Sequence, residues 1–434
     1  MIVTWVTFDD VGDSYVMYRE TEHHKHSRVL ANVTHFGGGF IKLSRYIHRA
    51  TIGELESGKE YVYYVGSRHG WSNEFTFQAL TERPEGGYKF AVYGDMGAVN
   101  SRSLGELQNQ VREDNIDMIL HVGDFAYNLD LLDGRVGDQF FNKIESVAAK
   151  VPYMTCPGNH EFPNNFTHYI NRFTMPNSEH NLFYSFDLDK VHFVFITTEI
   201  YYNTFLSPND KLNIDDVQHQ QLQTQWNWLV NDLEKANKNR YNVPWIVVLG
   251  HRPMYCSTDS AIAECRYKDV RVRVGINGEF ELEKLLFENG VDLEVFGHEH
   301  NYERMYPIYD EIVFKNTKDP YYDPPAPVQV ITGSAGCIET PRKFTKEKLE
   351  FDAHRSTDYG FSVMQVFNDT HLQWQQIRAH DGGVEDSFML IKTTHEPYGK
   401  NGLKRLYKQG TLFNRPKMAW EQRKFTFLNS TLSL

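Results

Sequence analysis

Cysteine is scarce, four in 434 residues, too few for the dense disulfide framework that holds many small secreted domains together. Long apolar runs are missing too. No stretch reaches the roughly 18 apolar residues that a membrane-spanning helix needs, so nothing in the sequence reads as a helical span. Basic charge is in deficit: 45 Lys and Arg against 57 Asp and Glu give a formal net charge of −12. That balance argues against nucleic acid or an anionic membrane as a partner. No internal repeat is visible, and no basic region, apolar core and cleavage site precede the strand-like start Met1-Ile2-Val3-Thr4-Trp5. What remains is globular in composition, 41% apolar and 14% aromatic, and too long for one compact core, so two domains are expected.

Five short blocks stand out from this background. They are Gly94-Asp95-Met96-Gly97, Gly123-Asp124-Phe125-Ala126-Tyr127, Gly158-Asn159-His160-Glu161, Val248-Leu249-Gly250-His251 and Gly297-His298-Glu299-His300. Apolar runs over 89–93, 116–122, 245–249 and 292–296 lead into the first, second, fourth and fifth. Taken singly the blocks are ordinary. Gly-Asp is usually a turn, Asn-His in a loop is usually turn or capping chemistry, and His-x-His after a strand is more often a surface pair than a ligand pair. Taken together they put oxygen and imidazole donors, which hold hard or borderline metals, at strand ends that converge on the ligand crevice of an open α/β sheet. Asp95, Asp124, Tyr127, Asn159, His251, His298 and His300 make seven side chains, too many for one ion with open positions. A carboxylate can bridge, so Asp124 could serve two ions. Two-metal sites hold their ions roughly 3.5–4 Å apart and clamp both the attacking and leaving oxygens of a phosphoryl group.

These blocks resemble those of the calcineurin-like metallophosphoesterases and, within them, the purple acid phosphatases. The wider superfamily usually reads Asp-x-His in the first block, whereas Asp95-Met96-Gly97 has no histidine. Tyr127, three residues after Asp124, is the substitution that marks the purple enzymes. The runs Gly250-His251-Arg252-Pro253-Met254-Tyr255-Cys256-Ser257 and Asn301-Tyr302-Glu303-Arg304 are most similar to the larger animal members, and the resemblance spans residues 3–392.

The resemblance implies that Asp95, Asp124, Tyr127 and His300 hold Fe(III), and that Asp124, Asn159, His251 and His298 hold a second, divalent ion: Fe, Zn or Mn. The implied activity is acid phosphatase, by in-line attack of a metal-bound hydroxide on a small phosphate monoester. His160 is then not a ligand; it hydrogen-bonds the phosphate and helps protonate the leaving alkoxide. A metallophosphodiesterase or nucleotidase of the same superfamily is the second reading. A non-enzymatic binding glycoprotein is the third, and its mark would be lost ligands, of which none of the seven is missing. One departure stands out. Many family members carry a further substrate-contacting histidine in the loop beyond the counterpart of His251, where this chain reads Ser260 and Ala261. Another residue in the loop 258–273 or His354 could substitute.

Residues 1–83 alternate strand runs with polar turns, at 3–8, 15–19, 46–52, 61–67 and 74–78, and Leu55, Gly58 and Tyr61 resemble the corner tyrosine of fibronectin-type sandwiches. This is expected to be an all-β fibronectin-like module, short of its first strand, joined through Pro84-Glu85-Gly86-Gly87 to the catalytic domain at 84–395. There the expected fold is the α/β metallophosphoesterase sandwich, two packed mixed sheets flanked by helices. Helical spacing marks Leu104, Leu107 and Val111; Leu222, Trp226, Leu229 and Leu233 behind Asp215-x-x-Gln218; and 280–289, stopped by Gly290. Trp226 and Trp228 read as core and rim. The runs at 328–332, 361–367, 372–378 and 388–391 read as a second sheet. Residues 396–434, with eight Lys and Arg against two Asp and Glu, read as a disordered basic tail.

Family members begin with more sequence, behind a signal peptide, so the chain reads as truncated or alternatively started, and a secreted or lysosomal location is expected. Asn-x-Ser/Thr sequons occur at Asn32, Asn165, Asn368 and Asn429, the best placed being Asn165 in a Pro-Asn loop. Cys256 and Cys265, nine apart, could bridge in an oxidising compartment. Cys156 and Cys337 read as buried free thiols.

Overall fold

Alternating apolar residues near the N-terminus fold into two antiparallel sheets that share one small core. The computed structural model describes residues 1–37, 43–178, 180–202, 216–259, 264–315, 318–398 and 410–412. One sheet orders Ile2–Thr7, Ser44–Thr51 and Asn32–Gly37; the other is built on Ser14–Glu20 and Glu60–Ser67. Val16, Tyr61 and Phe77 from one side meet Ala50 and Ile52 from the other. The Tyr61 hydroxyl accepts the Glu56 N–H at 2.9 Å, the backbone anchor expected of a corner tyrosine. Arg45 ties this module to the next by pairing with Asp138 at 2.7 Å.

The strands that follow are buried along their whole length and largely apolar, as strands covered on both faces tend to be. Met118–Val122, Val191–Phe195, Trp245–Leu249 and Val328–Thr332 are buried at every residue. They sort into two sheets. The six-stranded sheet runs Tyr153–Cys156, Met118–Val122, Tyr88–Tyr93, Gly360–Val366, His371–Arg378, Val384–Ile391, parallel in its first three strands and antiparallel after. The seven-stranded sheet runs Tyr184–Leu188, Val191–Phe195, Trp245–Leu249, Leu293–Phe296, Val328–Thr332, Tyr302–Met305, Asp352–Ser356, with four parallel strands at its centre. Phe90 of the first sheet meets Phe193 of the second, ring centres 4.9 Å apart. Near the strand ends Gly94 donates to the Thr332 carbonyl at 2.8 Å. The two sheets are therefore stitched together at the edge where the motif blocks emerge.

The expected second sheet divides. Val328–Thr332 lies parallel to Leu293–Phe296 in the seven-stranded sheet, while the three later strands extend the six-stranded one. A short run buried at every residue fits the centre of either sheet, so only its partners decide. Helices form at Leu104–Arg112, Arg135–Ala148, Asp216–Lys238 and Leu282–Glu288. The last begins two residues later than the apolar spacing indicates, because Phe280 takes a left-handed φ of 61° and its ring packs on Trp226. Trp226 and Trp228 are both half-buried against the core. Asp215, Ser260, Ala261, Asn429 and most of the basic stretch lie outside the described residues. Within that stretch, Tyr398 stacks on Phe287 and Thr411–Leu412 pairs with Ile312–Val313.

Candidate metal centre

All five blocks arrive at one place, because each follows a strand whose carboxyl end points to the same edge of the paired sheets. Four of the residues sit in the left-handed backbone region, Asp95 at φ 62°, Asp124 at 56°, Tyr127 at 52° and His298 at 69°. Non-glycine residues adopt it at a cost and cluster at functional sites. Glycines allow the close approach: a Cβ at Gly158 would run into Asp124 Oδ1, and one at Gly123 into His251 Nδ1.

The donors face one another in two groups that share Asp124. Asp124, His251 and His298 form one, and Asp95, Asp124 and His300 the other; within each, one ligand atom per residue lies within 4.8 Å of the rest. On the first side Asp124 Oδ2 is 3.2 Å from His251 Nε2. The Asn159 side-chain oxygen is 3.2 Å from that nitrogen and 2.8 Å from His298 Nδ1. On the second, Tyr127 donates to Asp95 Oδ1 at 3.1 Å and its hydroxyl is 3.0 Å from His300 Nε2. His160 stands beside both groups and belongs to neither. Its Nε2 is 3.8 Å from Asp124, and its Nδ1 is tied to the Asn128 side-chain oxygen.

The residues present fit a pair of metal ions. Asp95 and Asp124 are buried, yet among the described residues no Lys or Arg pairs with either; their ionic contacts are histidines. His251 Nδ1 meets the Val122 carbonyl at 2.7 Å. A carbonyl only accepts, so that nitrogen carries the proton and Nε2 is the one left to ligate. Burial opposes a charged ring at His251, but Asp124 outweighs it and raises the group to about 10. At His300 burial is likewise overcome, by Asp95 and then Cys337, raising that ring to about 11. Without metal these rings hold protons where a cation would otherwise sit, the usual coupling of metal and proton binding. Burial works against the charge of Asp124, which His251 and His160 nonetheless hold well below the ordinary carboxylate range.

Some of the site lies beyond the candidate donors and His160. Glu161, buried beneath Asp124, accepts the N–H groups of Asp124, Phe125 and Gly158 and so fixes two motif loops at once. Burial and then Asp124 push its carboxyl up to about 8. Arg252 holds the outer nitrogen of His298 at 3.1 Å and pairs with Glu199 at 2.8 Å. A sixth strand end contributes as well. After Val328–Thr332 the chain places Cys337 Sγ 3.4 Å from His300 Nδ1, and Glu339 3.7 Å from that nitrogen and 4.0 Å from His160 Nε2. Its signal was present: Gly333-Ser334-Ala335-Gly336-Cys337 follows an apolar strand, as the other blocks do.

The remaining candidates lie elsewhere. His354 sits on the strand Asp352–Ser356, opposite Arg304 and 3.6 Å from Asp386. Cys256 and Cys265 form a disulfide with Cα atoms 5.2 Å apart, and Cys156 and Cys337 are buried free thiols. Asn32, Asn165 and Asn368 are all exposed.

Comparison with known proteins agrees with this geometry. Residues 88–302 match the calcineurin-like phosphoesterase family, 326–387 the iron/zinc purple acid phosphatase-like C-terminal family, and 1–79 the purple acid phosphatase N-terminal domain. The chain is 40% identical to acid phosphatase type 7 of Danio rerio, covering 92% of this chain and 89% of that one. It is 44% identical to the Mus musculus protein of the same name, covering 82% and 79%. In structure it resembles a purple acid phosphatase from yellow lupin (Lupinus luteus) seeds, with TM-score 0.71, 24% identity, and coverage of 90% of this chain and 72% of that one. The chain belongs to the purple acid phosphatase family of metallophosphoesterases, whose centre is binuclear.

Proposed function

We propose that this chain hydrolyses small phosphate monoesters in acidic media. Asp95, Asp124, Tyr127 and His300 would hold Fe(III), and Asp124, Asn159, His251 and His298 a divalent Fe, Zn or Mn ion. The observation that carries this is the sharing of one buried carboxylate, Asp124, by two donor groups to whose acids no described Lys or Arg is paired. When bound, the two ions would supply Lewis acidity toward the phosphoryl group. The protein's own part is narrower. Glu161 pins the loops carrying Asp124 and Asn159, so the donors are held before any ion arrives. His160, with Nδ1 fixed by Asn128, directs Nε2 toward Asp124 and Glu339, placed to give a proton to a leaving oxygen.

A secreted or lysosomal setting is part of the same proposal, supported by the Cys256–Cys265 disulfide and by exposed sequons at Asn32, Asn165 and Asn368, which we read as glycosylation sites. No described helix is long and apolar enough to cross a membrane.

Elemental analysis with a visible spectrum tests the metal assignment. The oxidised protein should contain iron and absorb in the visible, and Tyr127→Phe should abolish the band, since only a phenolate among these donors transfers charge to Fe(III). Iron retained with the band intact in the Phe variant would remove Tyr127 from the ligand set. A side-by-side assay of monoester and diester substrates separates the phosphatase reading from a phosphodiesterase one.

A further inference from the structure

A phosphate monoester carries three non-bridging oxygens, and ions that take some of them leave the rest for protein donors. The described cations around the candidate centre are few. Arg252 is spoken for, held by Glu199 and by the outer nitrogen of His298. Arg342 is not so fixed. Its ionic contact among the described residues is Glu339, 3.5 Å away and about half exposed, while the arginine side chain itself is 20% exposed.

Its backbone nevertheless anchors it to the site. The Arg342 N–H donates to the His300 carbonyl at 3.2 Å. The Glu339 oxygen that meets Arg342 also lies 3.7 Å from His300 Nδ1, and the other oxygen is 4.0 Å from His160 Nε2. The guanidinium is therefore one contact removed from a proposed ligand and from the proposed acid.

The neighbouring chain strengthens the placement. Asp259 donates to the Lys343 carbonyl at 2.7 Å, and Thr258 bridges Phe344 in antiparallel sense. The loop beyond His251, where this chain lacks the further substrate histidine of many family members, is thus paired with the residues that immediately follow Arg342. His354 is instead engaged with Asp386, 3.6 Å away.

We infer that Arg342 is a substrate-binding residue: its guanidinium takes the non-bridging phosphate oxygens left by the metals, and Glu339 holds it until the anion arrives. Arg suits this work because its planar fork donates two parallel hydrogen bonds to a phosphate. The inference rests on the phosphatase reading of the same site, and the test separates the two.

Titration calorimetry of the metal-loaded full chain with inorganic phosphate is the direct measurement. Arg342→Ala should weaken phosphate binding by about tenfold, the scale of one charge-assisted contact, with metal content and melting temperature unchanged. Arg342→Lys should recover part of that loss. Glu339→Gln should do the opposite and tighten phosphate binding a few-fold, since it removes a competing negative charge; a merely structural pair would not give opposite signs. In turnover, Arg342→Ala should raise KM and leave kcat within about threefold, the pattern of lost binding common to ground and transition states. Phosphate affinity unchanged in Arg342→Ala, or lowered only in proportion to lost metal, overturns the inference. Should the unsubstituted protein bind phosphate in this pattern yet cleave no monoester, the phosphate contact stands and the phosphatase reading falls.

Discussion

The strand Leu293–Phe296 has a buried charged cluster at each end, and the two are built on opposite terms. At its start Asp292 is fully buried, with Arg240 at 2.9 Å, Lys392 in contact and the Ile246 N–H donating at 2.8 Å. Burial opposes its charge, but Lys392 and Arg240 hold its carboxyl far below the usual carboxylate range. Beyond the other end stand His298 and His300, facing Asp95 and Asp124, which have histidine, tyrosine and backbone contacts and no Lys or Arg partner among the described residues. A buried acid with its own cations is structurally complete. A pair of buried acids without them, whose ionic contacts among the described residues are histidines, is arranged for ions from solution that displace the protons of those rings. The same residue type therefore serves folding at one end of the strand and chemistry at the other.

The largest effect should come from breaking the second end at its shared point. Asp124→Ala removes a donor common to both groups, so both metals should be lost and turnover should fall on the order of 10³-fold or more. Elemental analysis beside an ester assay checks this, and retention of either ion at full occupancy would show that Asp124 is not shared.

The first end should respond in the other currency. Asp292→Asn leaves Arg240 and Lys392 buried without their carboxylate, which costs about 3–5 kcal/mol, while metal content and kcat of the folded fraction stay near those of the unsubstituted protein. Denaturant unfolding gives the number. The sign with pH follows from the lowered carboxyl of Asp292: its contribution is complete above the unfolded value of about 3.9 and is lost as pH falls through the folded one. The unsubstituted protein should therefore lose stability more steeply below about pH 4 than Asp292→Asn does. Equal slopes would mean that the cluster at this end carries little stability.

The two ends also differ in how far the sequence discloses them. Asp95, Asp124, Tyr127, Asn159, His251, His298 and His300 could be read in advance because each sits just past an apolar strand, and a strand end is a local pattern. The structure gathers all seven. Asp292 lies in an apolar run with nothing to mark it, and its partner Lys392 is 100 residues away. Glu161 stood inside a block, but its task of accepting three N–H groups appears only once the loops of Asp124 and Gly158 meet. Cys337 is legible as a buried thiol, but its place beside the site, like those of Glu339 and Arg342, is not, because only membership of the seven-stranded sheet brings the strand before them to this edge. Sheet membership is set by partners such as Leu293 and Val328, and those partners carry no mark of each other.

The smallest effect should fall on His160, which belongs to the catalytic end without belonging to its donor groups. Its ring lies 4.3 Å from that of Tyr127, centre to centre, and its Nε2 is 3.8 Å from Asp124, but both of those donors are held by other contacts, Asp124 by His251 and Tyr127 by Asp95. His160→Ala should therefore keep both metals, unlike Asp124→Ala. Turnover should fall by about 10²-fold, the lower range for a lost general acid. The loss should also depend on the ester. An alkoxide leaving an alkyl phosphate needs a proton in the transition state, whereas a nitrophenolate is stable enough to leave without one. The deficit should thus be large for alkyl phosphates and shrink for nitrophenyl phosphate. Equal deficits for the two would assign His160 to holding the phosphate, alongside Arg342, and leave protonation of the leaving oxygen to water.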